Sequence, residues 1–249
     1  MTTIPETAET LRLATFNIKN GLGTDGRVDN DRLAAVCADL EADVLALQEV
    51  DSGAPRSGRA NQAAVVAKAC GLSYFFAPAF ELRTGGLYGN ALLARGEIGA
   101  AEVVELPVAP DRQPRVGIVA RLDLGGVALS VAATHFQNRR GGAPTIADDA
   151  KEQLGQLTAV LDALGRRRLP RALLGDLNSG PTVVEPMLSA AGYTVAQTEP
   201  TAPARLPRLQ IDYVAVDRLT IVSSEVVQTP ISDHRAVVVE VTTTGEPPE

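Results

Sequence analysis

Two histidines occur in 249 residues. Each sits among other polar groups at the edge of an apolar run, in T-H-F-Q-N at His135 and in S-D-H at His234. Six more polar residues end or follow apolar runs: Asn17, Glu49, Asp176, Asn178, Asp212 and Asp233. Any one of them alone reads as a turn or cap residue, because Asp and Asn close turns with their own side chains. The eight together are hard to explain by packing, and they supply what hydrolysis of a phosphate ester requires. That reaction needs a seat for a divalent cation, a group that orients or deprotonates water, and donors for the charge that develops. Carboxylates and amide oxygens, with no paired Cys and no clustered His, are hard oxygen ligands. They suit Mg²⁺ or Mn²⁺ and disfavour zinc.

Such residues need rigid elements to hold them. Apolar runs rich in β-formers predict strands at 11–18, 43–50, 90–95, 115–124, 127–136, 171–177, 211–216, 220–227 and 235–241. Most are too continuously apolar to have a wet face, which fits central strands covered by helices. Leu33, Val36, Cys37 and Leu40 share one helical face, and Leu154, Leu157, Leu161 and Leu164 share another. The second helix follows Thr145-x-x-Asp148 and ends near Gly165. Gly125-Gly126 reads as a tight hairpin turn. Strand, helix, strand over 11–49 is echoed over 127–176, with a polar group at the C-terminal end of each strand. A cleft shared by two facing half-sheets is therefore expected, at strand ends where layered α/β proteins bind ligands. No linker divides the chain, so a single domain over 1–249 is expected, ordered from about residue 10 to 243 with a frayed tail.

The motifs resemble those of the endonuclease/exonuclease/phosphatase superfamily, in order along nearly the whole chain. They are L-R-L-A-T-F-N-I at Asn17, D-V-L-A-L-Q-E-V at Glu49, Y-G-N-A-L-L-A-R at Asn90, T-H-F at His135, L-L-G-D-L-N-S-G-P at Asp176, I-D-Y-V at Asp212 and S-D-H-R-A at His234. The G-D-x-N and S-D-H pieces are the specific ones. The resemblance implies an α+β fold, a four-layer α/β/β/α sandwich of two mixed sheets with outer helices, like that of deoxyribonuclease I. It further implies that Glu49 is the principal Mg²⁺ ligand, with Asn17 beside the metal or its water and Asp233 on the metal side. Asp212 and His234 would form a carboxylate-histidine pair. Asp176 and Asn178, two apart on one strand end, would point to one side to orient water and donate to the phosphate, and His135 would touch the phosphate or leaving group. The resemblance implies in-line attack by water without a covalent intermediate, with either Asp176 or His234 taking the proton.

Substrate class is less legible. Arg56 and Arg59 lie in D-S-G-A-P-R-S-G-R, either an oxyanion-facing loop or a solvated turn. Asn90, and Asn138 with Arg139 and Arg140, are further candidate substrate contacts. Arg166 to Arg168 read as charge complementing a helix C-terminus. The net charge of −7 weighs against the cationic field that concentrates nucleic acid. Tyr74, Phe75 and Phe76 read as core and not as a base-stacking surface. These features weigh against nucleic acid, and the likeness of residues 51–62 and of Y-G-N-A-L-L to compact bacterial members of the superfamily implies a phosphodiesterase or phosphatase of small or lipid-derived substrates. A Mg²⁺-dependent nuclease is the alternative, and a non-catalytic binding module a more distant one. The N-terminus shows no signal-like pattern and no run is long enough to span a membrane, so a cytoplasmic protein without an obligate protein partner is expected. Cys37 and Cys70 are expected to be buried free thiols.

Overall fold

The computed structural model describes residues 9–139, 146–166 and 168–243. Twelve strands form two mixed six-stranded sheets. In the first, β1 (Thr10–Asn17) runs parallel to β2 (Val44–Ser52). Beyond β2 lie β4 (Leu87–Ala94) and β3 (Ser73–Glu81), and beyond β1 lie β12 (Ala236–Thr243) and β11 (Leu219–Val227). In the second, β7 (Ala128–His135) runs parallel to β8 (Arg171–Asp176). It is flanked by β6 (Arg115–Asp123) and β5 (Glu97–Leu106) on one side, and by β10 (Asp212–Asp217) and the short β9 (Thr194–Val195) on the other. The echo in the sequence is thus the parallel pair at the heart of each sheet.

The apolar residues fall into three clusters, one for each space between layers. Leu11, Leu13, Val44, Ala46, Val131, Leu174 and Val239 fill the space between the sheets. Phe16, Ile18, Leu45 and Leu47 pack under α1 (Asn30–Ala38) and α2 (Gln62–Cys70). Ala132, Leu173 and Tyr213 pack under α3 (Ile146–Gly165) and α4 (Pro181–Ala190). The architecture is the expected four-layer sandwich. Helix starts follow local chemistry: Asp29 accepts from the N–H groups of Asp31 and Arg32, Asn61 accepts from that of Ala64, and Pro181 opens α4.

Five elements differ from the sequence expectation. β3, β5 and β9 and helices α2 and α4 carry no expected strand or helix boundary, although the Ala-rich run at Cys70 looks helical. Tyr74 is 42% exposed, not core, because β3 is the outermost strand of its sheet and one face lies open. Cys37 is buried, whereas Cys70 is only half-buried because it is the last residue of α2. Thr145, Arg140, Arg167 and the tail from 244 lie outside the described residues. Arg166, just past α3, pairs with Glu102 at 2.8 Å. No described helix is long and apolar enough to cross a membrane.

Candidate active site

Strand alternation brings the polar residues together. On β1 the residues facing the opposite sheet are Leu11, Leu13, Thr15 and then Asn17, and on β8 they are Ala172, Leu174 and then Asp176. His135 lies opposite Asp176 in the β7–β8 register, and Asp212 lies opposite Asp176 in the β10–β8 register. Gly175 permits this alignment, since a Cβ there would lie 2.2 Å from the Thr134 carbonyl oxygen.

Glu49 arrives by a different route. Simple alternation along β2 would turn it outward beside Leu45 and Leu47. A bulge between Leu47 and Val50 shifts the register, and Glu49 takes the left-handed conformation with φ of 58°. Its carboxylate thereby meets the Asn17 amide, which donates to Glu49 Oε1 at 3.1 Å and to Asp176 Oδ2 at 3.0 Å. Asn17 Oδ1 accepts from the Lys19 N–H, so the amide presents its N–H face as a spacer between two carboxylates.

Asp176 Oδ2 is the hub of the cluster. His135 Nε2 lies 3.5 Å from it and His234 Nε2 3.7 Å. The two rings are held oppositely. Arg115, only a donor, points Nη1 at His135 Nδ1 at 3.0 Å, which fixes the Nε2–H tautomer facing Asp176. Burial, then the charges of Arg115 and His234, hold the His135 imidazole well below its usual pKa, so it is neutral. His234 Nδ1 instead donates to Asp212 Oδ2 at 2.9 Å. Burial opposes a charge on that ring, but Asp212 and then Asp176 outweigh it and raise His234 to about 10. Burial and the charge of Asp212 push Asp176 up to about 7. The cluster therefore holds more negative charge than its own cations balance.

The other candidates have different surroundings. Asn178 lies beyond the end of β8 with φ of 48°, so strand alternation does not place it on the same side as Asp176. Its N–H donates to Asp176 Oδ1, and its amide donates to the Phe136 carbonyl at 3.0 Å, tying the ends of β7 and β8. Asp233 is half exposed and pairs with Lys19 at 2.6 Å, a contact that holds its pKa down despite burial. Arg56 makes a two-point contact with buried Asp51 and lies over the Tyr88 ring. Asn90 donates to the Val116 carbonyl across the two sheets. Asn138 accepts from Arg112, and Arg139 is exposed. Arg59 is exposed with φ of 60°.

A metal fits this chemistry. Asp176, Asp212 and His234 each place a ligand atom within 4.8 Å of the others, and Glu49 adjoins them through Asn17. Oxygen donors predominate, no thiol is near, and the excess negative charge calls for a hard divalent cation. Asp212 and the His234 Nδ1 are committed to each other, while Glu49 Oε1 and Asp176 Oδ2 share the Asn17 amide.

Two residues of this network escaped the sequence reading. Arg115 is 7% exposed, and as the first residue of a strand it reads as a solvated end. Arg115→Met is expected to lower stability in urea unfolding by about 2 kcal/mol, since the buried His135 Nδ1 loses its donor. An unchanged midpoint would show that the contact contributes nothing. Thr201, fully buried, donates from Oγ1 to Asp212 Oδ2 at 2.5 Å, and its carbonyl accepts from the Arg235 N–H. It holds Asp212 directly and is tied to the backbone one residue after His234. Thr201→Val, which removes only the hydroxyl, is expected to lower kcat about tenfold, while Thr201→Ser keeps it. Equal kcat in the two variants would rule out this positioning role.

The Endonuclease/Exonuclease/phosphatase family model matches residues 14–234. No functionally curated protein matches the sequence. Among solved structures, an endonuclease/exonuclease/phosphatase from Beutenbergia cavernae superposes with a TM-score of 0.79 at 25% identity, over 96% of this chain and 72% of that one. The human Nocturnin catalytic domain with bound sulfate anion gives 0.69 at 19%, over 95% and 98%. A humanized D. rerio TDP2 gives 0.71 at 18%, over 94% and 99%.

Proposed function

Because the chain belongs to the endonuclease/exonuclease/phosphatase family, whose members are phosphoric ester hydrolases, we propose that it is a Mg²⁺-dependent phosphodiesterase of small or lipid-derived substrates. The observation that carries this reading is His234, held between two buried carboxylates with Nδ1 on Asp212 and Nε2 towards Asp176. Glu49 would be the principal holder of the metal, with Asn17 beside it and Asp233 on the same side. When bound, Mg²⁺ supplies positive charge for the non-bridging oxygens of the phosphate.

The protein groups carry the remaining work. Asp212 orients the His234 ring and sustains its charge, so His234 presents an N–H to a phosphate oxygen. Asp176 orients the attacking water, with Asn17 and Asn178 fixing its two oxygens. His135, neutral and aimed by Arg115, adds a second N–H donor at the same centre. Water attacks in line and gives its proton to Asp176 or His234, the P–O bond to the leaving group breaks, and the leaving oxygen takes up a proton to depart as the alcohol, without a covalent intermediate.

The test pairs soluble bis(p-nitrophenyl) phosphate with supercoiled plasmid at low salt, each with Mg²⁺ or EDTA. Release of nitrophenol with Mg²⁺ and no nicking is expected. Nicking by wild type, absent in His234→Ala, would turn the assignment to a nuclease. Inactivity on both together with failure to bind Mg²⁺ would return the fold to a binding role.

A further inference from the structure

The loop that leads into β10 carries a surface the hydrolytic chemistry does not use. It reads T-A-P-A-R-L-P-R-L-Q-I from Thr201 to Ile211, closed by a bridge between Ala202 and Leu209. Its base is fixed to the active centre. Thr201 bonds Asp212, the Ala204 N–H donates to the Asp233 carbonyl at 2.7 Å, and Arg205 donates to the Thr24 carbonyl at 3.0 Å. Its outer part faces solvent: Leu206 is 59% and Leu209 55% exposed, and Arg205 and Arg208 are exposed on the same loop. Two bare leucines beside a catalytic centre mark a contact surface, because leucine ordinarily gains from burial.

A cleft of ≈ 240 Å³ lies under this loop. Leu22, Pro203 and Ala204 give it a mainly apolar wall, Lys19 and Arg205 line it with positive charge, and Asp233, next to His234, closes it towards the centre. An apolar group in the cleft thus lies beside the residues proposed to handle phosphate, with Arg205 the cation at hand for an anionic neighbour, since Lys19 is paired with Asp233.

We propose that the Thr201–Ile211 loop docks on an anionic lipid surface and that the cleft beneath it receives the non-phosphate part of a lipid phosphodiester. Charge complementarity supports this occupant. The protein as a whole carries −7 and is repelled by anionic membranes, so a pair of arginines on the leucine-bearing loop sets the docking orientation locally. Single-stranded nucleic acid fits less well, since leucine offers no stacking face. The one large exposed aromatic among the described residues, Tyr74, belongs to β3 at the edge of its sheet remote from β12. Two leucines and two arginines give reversible docking, no firmer than a single acyl chain. The inference rests on the phosphodiesterase reading and names its substrate class.

The experiment is flotation of the full chain with vesicles of phosphatidylcholine and phosphatidylglycerol in equal parts, against phosphatidylcholine alone. Soluble bis(p-nitrophenyl) phosphate hydrolysis is measured on the same samples. The wild type should float with the mixed vesicles and weakly with the neutral ones. Leu206→Asp and Leu209→Asp should each weaken flotation at least about tenfold and leave soluble hydrolysis unchanged. Absence of wild-type flotation, or flotation of both variants equal to the wild type's, overturns the proposal. So does loss of single-stranded oligonucleotide binding in these variants, or a wild-type dimer on size exclusion that they dissociate. Flotation without hydrolysis of the soluble diester would remove the catalytic reading and leave the docking surface in place, so the two failures are distinct.

Discussion

His234→Ala is expected to lower kcat for Mg²⁺-dependent diester hydrolysis by at least ~10², the usual loss when one proton-handling group is removed. The fold should persist, because His234 sits outside the regular strands and its backbone N–H bond to Ser232 Oγ survives the substitution. The more discriminating comparison is with Asp212→Asn. Asp212 acts on the reaction chiefly through the ring, by its 2.9 Å bond to His234 Nδ1, besides the upward push of its charge on Asp176. An amide there can neither sustain the imidazolium nor fix its tautomer, so this variant should fall almost as far. The double variant should fall no further than the worse single one, because groups that act as a unit are not additive. Steady-state kinetics on the three purified proteins, with circular dichroism to confirm folding, provides the check. Multiplying losses in the double variant would show that Asp212 and His234 work independently and would undo the pairing.

What the sequence discloses, and what it conceals, follows from how each residue reaches the site. Asn17, His135, Asp176 and Asp212 are strand-end residues whose inward direction follows from the alternation of their own strands, so both their presence and their convergence are legible. Ser232 shows how a motif is understood only in three dimensions. Its hydroxyl donates to the Asn17 carbonyl and accepts the His234 N–H, stitching β1 to the S-D-H turn. Arg115 and Thr201 were not legible, because nothing in a strand-initial Arg or a Thr in a Pro-rich loop announces a partner 20 or 11 positions away. Edge strands such as β5, with its alternating exposed residues, lack the continuous apolar signal of the central ones. Pro186 inside α4 obscures a helix that its burial of Val184 and Leu188 sustains. The direction of Glu49 is the sharpest case, since counting along β2 puts it on the wrong face and only the bulge corrects it.

That bulge makes Glu49 the place to test the metal directly. Saturating Mg²⁺ is expected to raise the melting temperature of the wild type by roughly 5–10 °C, reversed by EDTA. A ligand at a hundredfold over its Kd adds about 2.7 kcal/mol, and each kcal/mol is roughly 2–4 °C for a chain of this size. Glu49→Gln keeps the shape of the side chain and removes its charge, so its melting temperature should not respond to Mg²⁺ and its turnover should be lost. A response equal to the wild type's would place the metal elsewhere, with the compact Asp176, Asp212 and His234 group the next seat to examine. The backbone offers an independent reading of the same assignment. A glutamate at φ of 58° is strained by about 1 kcal/mol or more, and such strain persists where function requires the side chain. Glu49→Gly relieves it. In EDTA the glycine variant should therefore melt higher than the glutamine variant, and in Mg²⁺ it should melt below the wild type. Those two outcomes together separate strain held for metal binding from a turn that happens to end in glutamate.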